Sequence, residues 1–164
     1  MKVLQIVSLG LLAFSAEAQV EPGTYGQRIV AAVLMGEARG EGEVGLKAVA
    51  EVVHNRAVQH AKSPLTVVCE KGAFSCLNGK TPDQLYRKHS RSPLFKAALQ
   101  IAQTVYNSPD KLPGTTRGAT FYDLKGATPP WLSAVRLVAI IGHHAFYVEK
   151  GKALIYRESR TGEG

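Results

Sequence analysis

The feature that most restricts the fold is a glycine-rich, acidic segment between two helical patterns. Residues 36–41 read Gly-Glu-Ala-Arg-Gly-Glu. Apolar residues before this segment recur at helical spacing and predict a helix from about Tyr25 to Ala38. A second such pattern predicts another helix from about residue 43 to about residue 60. Glu37 must therefore lie where the first helix ends and the chain turns.

A carboxyl group at such a junction can be half buried by apolar neighbours, here Leu34 and Met35. Burial disfavours the charged form and raises the pKa of a carboxyl group, which suits a general acid that works near neutral pH. Glu37 is therefore a candidate proton donor. Spacing alone also allows the simpler interpretation that Glu37 and Glu41 are solvated charges at helix ends.

Helical patterns continue through the middle of the chain. Thr81, Pro82 and Gln84 form a capping-box pattern, which predicts a short helix that ends near Lys88. A longer amphipathic helix opens at residues 92–93 and ends around residue 107, because its apolar residues repeat at intervals of three and four. Both predictions place helices after the glutamate segment.

The remaining segments indicate a loop and a small sheet. A Ser-Pro pair at residues 63–64 is expected to stop the second helix, and residues 65–80 read as an irregular loop. Later, β-branched and aromatic residues predict strands at residues 118–123, 136–141 and 145–149. The sequence therefore predicts an α+β domain that is mostly helical, with a small antiparallel β-sheet.

The first eighteen residues have the layout of a secretory signal peptide. Lys2 gives a positive start, residues 3–14 form an apolar run, and residues 16–18 read Ala-Glu-Ala, a small-x-small cleavage site. The apolar run is too short to span a membrane comfortably. We expect cleavage and export to the periplasm or the extracellular cell wall, with no stable membrane insertion afterwards. A retained and later released signal anchor, as in some phage lysins, is the alternative.

The rest of the chain then divides simply. Residues 19–26 read as a linker, residues 27–150 as one catalytic domain, and residues 151–164 as a polar, flexible C-terminal extension. Removing residues 1–18 deletes one lysine and one glutamate, so the net charge stays at +7. A basic protein attracts polyanions. Export argues against nucleic acid as the partner, and the anionic cell wall fits best.

The two cysteines, Cys69 and Cys76, lie seven positions apart. In an oxidising compartment they could close a small loop as a disulfide, which is the expectation for an exported protein. Free buried thiols are the alternative. Two cysteines without a second pair or a correctly spaced histidine make a poor zinc site.

Six sequence blocks, taken in order and spacing, closely resemble the bacterial cell-wall hydrolase family typified by spore cortex-lytic enzymes. The resemblance runs from about Gln27 to Tyr147. After residues 36–41, the blocks are Gly-Leu-Lys-Ala-Val-Ala at 45–50, Val-His-Asn-Arg at 53–56, Gly-Ala-Phe-Ser-Cys at 72–76, Gly-Ala-Thr-Phe-Tyr at 118–122 and Ile-Gly-His-His-Ala-Phe-Tyr at 141–147.

The resemblance implies a lysozyme-like fold and lytic transglycosylase chemistry on the glycan strands of peptidoglycan. Glu37 matches the family's catalytic position. Protonated Glu37 would donate to the oxygen between N-acetylmuramic acid and N-acetylglucosamine. Its carboxylate would then take the proton of the muramic C6 hydroxyl as a 1,6-anhydro ring closes, with no water consumed. No cofactor is implied.

The resemblance also implies a set of substrate contacts. Tyr122 matches a tyrosine that lines the cleft and touches the sugar or the catalytic carboxylate. Phe74 and Ser75 match a loop beside the cleft, where a ring can stack on a pyranose. Trp131, the one tryptophan, could stack in the same way, although a lone tryptophan is more often core.

Glu41 is the nearby candidate for the second carboxylate that hydrolysing glycosidases usually require. The glycines around it leave its direction unreadable. We expect it to be structural or to help binding, for example by capping the next helix, rather than to act as a nucleophile.

A metal site is not expected. Adjacent residues of a strand point to opposite faces, so His143 and His144 cannot easily bind one ion, and no His-Glu-x-x-His pattern occurs. His144 matches the family's Ile-Gly-x-His motif, where a supporting role is expected.

Three rivals to a transglycosylase remain open on the sequence. A muramidase would use Glu37 with an activated water, and a catalytically silent peptidoglycan-binding protein would keep the fold alone. A zinc amidase or peptidase would require metal. Any protein partner for targeting is unreadable from the sequence.

Overall fold

The computed structural model of the protein describes residues 22–151. The predicted signal peptide and nearly all of the predicted C-terminal extension lie outside these residues. Within the described range, helices precede strands. The elements are α1 (Tyr25–Ala38), α2 (Gly42–His60), α3 (Pro64–Cys69), α4 (Pro82–His89), α5 (Phe95–Asn107), β1 (Phe121–Leu124), β2 (Val135–Ile141) and β3 (His144–Glu149).

Helix α1 is the centre of the helical part. Thr24 starts it with a capping box, in which the Thr24 side chain accepts from the Gln27 amide and the Gln27 side chain accepts from the Thr24 amide. From Ile29 to Met35 every residue is buried, and the helix packs against α2, α3, α4 and α5. A helix that is apolar on all sides belongs inside the core, so the end of α1 is held firmly in place.

Helix α3 was not predicted, because the Ser-Pro pair at its start was interpreted as a stop. Ser63 instead caps α3: its hydroxyl accepts from the Thr66 amide at 3.1 Å, and Pro64 occupies the first helical position. Proline is favoured there, since its missing N–H would have no helical partner. The capping box predicted at Thr81 is present at the start of α4.

The sheet is antiparallel, with β3 between β1 and β2. One face packs on α2, where Phe146 meets Ala48 and Val52. The opposite face carries a smaller cluster that includes Tyr147 and the partly buried Trp131. The predicted α+β, mostly helical fold with a small antiparallel sheet is confirmed, and β1 is an edge strand close to the end of α1.

A membrane-spanning helix would need a long apolar stretch. In the described part of the chain, no helix is both long and apolar enough to cross a bilayer.

Candidate active site

The Glu37 side chain leaves the last turn of α1 and receives three hydrogen bonds from two other parts of the chain. Its Oε1 accepts from the Cys76 amide at 2.9 Å and from the Ser75 hydroxyl at 3.3 Å. Its Oε2 accepts from the Tyr122 hydroxyl at 2.9 Å. The carboxylate therefore joins α1, the loop before residue 77 and the edge strand β1.

The close approach of that loop depends on Gly36. A Cβ added at Gly36 would lie 2.6 Å from the Cβ and 2.9 Å from the Sγ of Cys76. Contacts this short do not occur between real side chains, so a larger residue at position 36 would displace the loop. The glycine before Glu37 thus allows the Cys76 amide to reach the carboxylate.

Tyr122 stays protonated in this site. Burial raises the pKa of its hydroxyl well above the usual range, and the negative charge and hydrogen bond of Glu37 raise it further, while the Arg56 guanidinium opposes the shift. A protonated phenol can donate a hydrogen bond. Tyr122 is therefore a hydrogen-bond donor to Glu37 at neutral pH.

An open cleft of about 740 Å³ surrounds Glu37. Arg56, Ser75 and Tyr122 line it near the carboxylate, and Asp123 and Trp131 line it further along β1. Ligand sites of small molecules have volumes of about 300–1,000 Å³, so this solvent-open cleft is large enough to be a ligand site.

Trp131 belongs to an aromatic cluster beside this cleft. Its ring centroid lies 5.3 Å from that of Phe121 and 5.6 Å from that of Tyr147. The tryptophan is partly exposed, so the cluster supports its ring while leaving part of it open to the cleft.

Phe74 lines the cleft, but protein atoms cover most of its ring, so the stacking on a sugar that the resemblance implies stays a prediction. Its side chain is only 2% exposed, because the ring packs 6.4 Å from Tyr122 and lies under the Arg56 guanidinium, 5.2 Å from its centroid. The neighbouring Ser75 is the residue of this loop that reaches Glu37. Phe74 therefore supports the wall of the cleft from inside.

Glu41, which was a candidate substrate contact, lies outside the cleft. Its side chain is 9% exposed and is not part of the cleft lining. It accepts from the His143 amide at 2.7 Å and contacts His144 Nδ1 at 3.0 Å. Added Cβ atoms at Gly45 and Gly142 would lie 2.6 Å and 2.8 Å from it, so both glycines make room for this carboxylate.

The environment of Glu41 favours its charged form. Burial raises the pKa of the carboxyl group, but hydrogen bonds from His144 and the His143 amide, together with the charges of both histidines, outweigh burial and lower the pKa. Glu41 thus fastens the β2–β3 turn to the start of α2. The helix capping predicted for Glu41 does not occur, because its side chain makes no capping hydrogen bond at the start of α2.

His143 and His144 converge on Glu41 rather than pointing apart. His143 lies in the turn before β3, and its Nδ1 is 3.5 Å from Glu41 Oε1. The described residues contain no group of three histidine, cysteine or acidic side chains that could hold a metal ion.

The predicted disulfide is not formed, and Cys69 and Cys76 are free thiols. Cys69 ends α3 and is exposed, whereas Cys76 is directed at α1, with its Sγ 3.9 Å from the Val33 carbonyl oxygen. Burial and the nearby Glu37 raise the pKa of the Cys76 thiol. The two thiols therefore lie in different environments, Cys69 at the surface and Cys76 against α1, although they are close in sequence.

No role was predicted from the sequence for three polar residues of α2 that hold the segment leading to β1. Asn55 and Arg56 were recognised as part of a motif, and both bind carbonyl groups at the start of β1. Glu51, which is 4% exposed, accepts four hydrogen bonds from the amides and hydroxyls of Thr115 and Thr116. A charged residue inside an apolar helical stripe was the signal that could have identified Glu51.

Comparisons with known proteins agree with this geometry. A family profile described as Cell Wall Hydrolase matches residues 40–147, a range that begins three residues after Glu37 and contains Ser75 and Tyr122. No protein of curated function shows significant sequence similarity to the chain.

A solved structure is also similar, namely the catalytic domain of the germination-specific lytic transglycosylase SleB from Bacillus anthracis. The two chains are 25% identical and superpose with a TM-score of 0.58, and the match covers 79% of this chain and 100% of that one. By its matched profile and this structural relative, the chain belongs to the cell wall hydrolase family and is a peptidoglycan-cleaving enzyme of glycosidase type.

Proposed function

We propose that the protein is an exported lytic transglycosylase that cleaves the bond between N-acetylmuramic acid and N-acetylglucosamine, with Glu37 as its acid and base. The observation that carries the proposal is the Glu37 carboxylate, held in an open cleft by Cys76, Ser75 and Tyr122. The structural relative SleB is itself named a lytic transglycosylase, which is the chemistry proposed here.

The hydrogen bonds indicate which oxygen carries the proton. The Cys76 amide can only donate, so Glu37 Oε1 must remain an acceptor. Hydroxyl hydrogens can rotate, so Tyr122 can turn its proton away when Glu37 Oε2 is protonated. Oε2 is therefore the oxygen that we expect to donate to the glycosidic oxygen.

Proton transfer then proceeds through one carboxyl group. Glu37 protonates the oxygen that leaves with N-acetylglucosamine as the bond to the anomeric carbon breaks. The muramic C6 hydroxyl attacks that carbon and gives its proton to the Glu37 carboxylate, which closes the 1,6-anhydro ring and restores the acid. As negative charge develops on Glu37, all three donors stabilise it, in the way that fixed hydrogen-bond donors stabilise developing charge elsewhere.

The surroundings of Glu37 support a mechanism with one carboxylate. Glu41, the second acid suggested by the sequence, is held by the β2–β3 turn. We place Trp131 as a stacking surface for a sugar ring, since it lines the cleft and is partly exposed. Ser75 and Tyr122 act through their contacts with Glu37.

A muramidase is the second candidate, because three more carboxylates, those of Glu70, Asp123 and Glu149, line the same cleft. Asp123 follows Tyr122 on β1 and lines the cleft. A hydrolase could use such a group to activate water on the other side of the sugar. Its Oδ1 already accepts from the Leu124 amide at 2.7 Å, which favours the transglycosylase.

Export follows from the proposed substrate, which lies outside the cytoplasm, and from the proposed signal peptide at residues 1–18. We propose that the basic mature chain binds the anionic wall through its net charge of +7. N-terminal sequencing of the secreted protein would identify the cleavage site, which we expect after Ala18.

The test is mass spectrometry of peptidoglycan digested by the mature protein and by Glu37→Gln. We expect 1,6-anhydro-muramic acid ends from the wild type. The variant should lose about 10²- to 10⁴-fold in turnover, the usual contribution of positioned acid catalysis. Glu43→Gln is the matched control, because Glu43 is an exposed glutamate of α2 that pairs with Lys47.

Each result selects one function. Reducing muramic acid ends would show that water attacks, and would make Asp123→Asn the next variant. Undiminished activity of Glu37→Gln would exclude Glu37 as the acid. Binding to peptidoglycan without any soluble fragments would indicate a silent binding protein.

A further inference from the structure

Two consecutive residues of α2 bind two consecutive carbonyl groups just before β1. Asn55 Nδ2 donates to the Ala119 carbonyl oxygen at 2.9 Å, and Arg56 Nε donates to the Thr120 carbonyl oxygen at 2.7 Å. Tyr122 follows Thr120 by two residues. These two hydrogen bonds from α2 therefore hold the backbone that positions the Tyr122 hydroxyl.

Arg56 reaches the other wall of the cleft as well. Its Nη1 donates to the Ala73 carbonyl oxygen at 3.3 Å, and its guanidinium lies over the Phe74 ring. Ser75 and Cys76 come directly afterwards in the chain. One side chain thus contacts both segments that supply hydrogen-bond donors to Glu37.

The chemistry of arginine suits this position. Its planar guanidinium carries several donors in a fixed fork and can stack on an aromatic ring, which a lysine ammonium cannot reproduce. Burial lowers the pKa of Arg56, and the neighbouring Tyr122 hydroxyl, together with the negative charges of Glu70 and Glu37, opposes this shift. A partly buried cation is costly unless it is well partnered, and Arg56 has partners in the Thr120 and Ala73 carbonyl oxygens and the Phe74 ring.

We propose that Arg56, assisted by Asn55, is a positioning residue that sets the spacing between the Ser75–Cys76 loop and Tyr122, and thereby orients the Glu37 carboxylate for proton transfer. Arg56 makes no hydrogen bond to Glu37 itself. The proposal concerns turnover and so rests on the proposed function of Glu37.

The experiment compares Arg56→Ala and Arg56→Lys with Arg28→Ala in the mature protein. Arg28 is a fitting control, since its Nη1 also donates to a backbone carbonyl, that of Gly23 at 2.8 Å. We expect Arg56→Ala to lose about 10²-fold in kcat with little change in KM, the cost of misplacing a reacting group by about 1 Å. Arg28→Ala should keep the wild-type kcat.

Two further readouts separate positioning from mere stability. Free guanidinium, added at concentrations that do not unfold the protein, should restore part of the kcat of Arg56→Ala. Arg56→Lys should reduce kcat much less in a Tyr122→Phe background than in the wild type, because coupled residues give non-additive effects. Arg56→Lys keeps the charge and most of the packing, so it serves if the alanine variant does not fold.

The proposal is overturned if Arg56→Lys retains the wild-type kcat, or if its loss is the same with and without the Tyr122 hydroxyl. A loss of kcat that only follows the melting temperature would also overturn it. Glu37→Gln keeps the two hypotheses apart: an active Glu37→Gln enzyme refutes the proposed function, whereas an inactive one with additive Arg56 effects refutes only the positioning role.

Discussion

Replacing Tyr122 by phenylalanine tests how the site stabilises the charge on Glu37. The substitution removes one hydroxyl, whose bond to Glu37 Oε2 is 2.9 Å long. The ring and its contacts with Phe74, His144 and Phe146 stay in place. The change therefore removes one hydrogen bond with little loss of packing.

The expected magnitude follows from the charge of the acceptor. A hydrogen bond to a charged group contributes about 1.5–3 kcal/mol, and each 1.36 kcal/mol of transition-state stabilisation corresponds to about a tenfold change in rate. Glu37 becomes negative as it gives up its proton, so Tyr122→Phe should lower kcat about 10- to 150-fold. KM should change little, because the hydroxyl is directed at Glu37 rather than at the cleft.

The assay is the initial rate of release of 1,6-anhydro products from purified glycan strands, measured by liquid chromatography and mass spectrometry. Tyr25→Phe is the matched control, since Tyr25 is exposed and its hydroxyl donates to Asp83 Oδ2 at 3.5 Å, away from Glu37. An unchanged kcat in Tyr122→Phe would refute the reasoning. A loss in kcat far above 150-fold would also refute it, because one hydrogen-bond donor does not contribute that much.

Three further predictions concern the framework of the site. Gly36→Ala should lower the free energy of unfolding by about 1–3 kcal/mol, the usual cost of overpacking, and should reduce turnover, because the new Cβ would meet Cys76. Urea unfolding measures the first effect and initial rates measure the second. Wild-type values of both would contradict the close approach of Cys76 to Gly36. Glu41→Gln should destabilise the fold at neutral pH. The pKa of Glu41 in the folded protein is lowered from 4.5, so its stabilising effect is complete above the unfolded pKa and is lost as pH falls through the folded pKa. The free energies of unfolding of the two proteins should therefore become equal in acid. A difference that does not depend on pH would contradict this. Iodoacetamide should label Cys69 faster than Cys76, because Cys69 is exposed and burial raises the pKa of the Cys76 thiol. Equal labelling rates would contradict this difference in exposure. A reductant should leave the melting temperature unchanged, because the two thiols are free.

Local patterns predicted the helices well where the signal lies within a few residues. The capping box predicted at Thr81 begins α4, since it depends on residues three positions apart; the same pattern at Thr24 begins α1 but was not predicted. Ser63 and Pro64 show the limit of such rules. The same pair can end one helix and start the next, and only packing of the segment against α1 and α2 decides for α3.

The site itself could be predicted only in part, because its contacts join distant parts of the chain. Glu37 was identified from its place at a helix end, but its partner Tyr122 is 85 residues away. Periodicity contains no information about such a contact. The burial of Phe74 and the enclosure of Glu41 likewise follow from how the sheet and the loop pack on α2, which no local pattern encodes.

Glu37 lies on a helix packed in the core, whereas the surfaces around it come from the periphery of the fold. Stable placement of a reactive group and adaptation to a substrate therefore depend on different parts of the chain. Glu37, the proposed acid, belongs to a helix that is packed in the core, where almost any change would destabilise the fold. The walls that would meet a glycan come from a peripheral loop and an edge strand. Changes of wall substrate during evolution could therefore accumulate in residues 70–75 and in β1, while Glu37, the proposed proton donor, keeps its place.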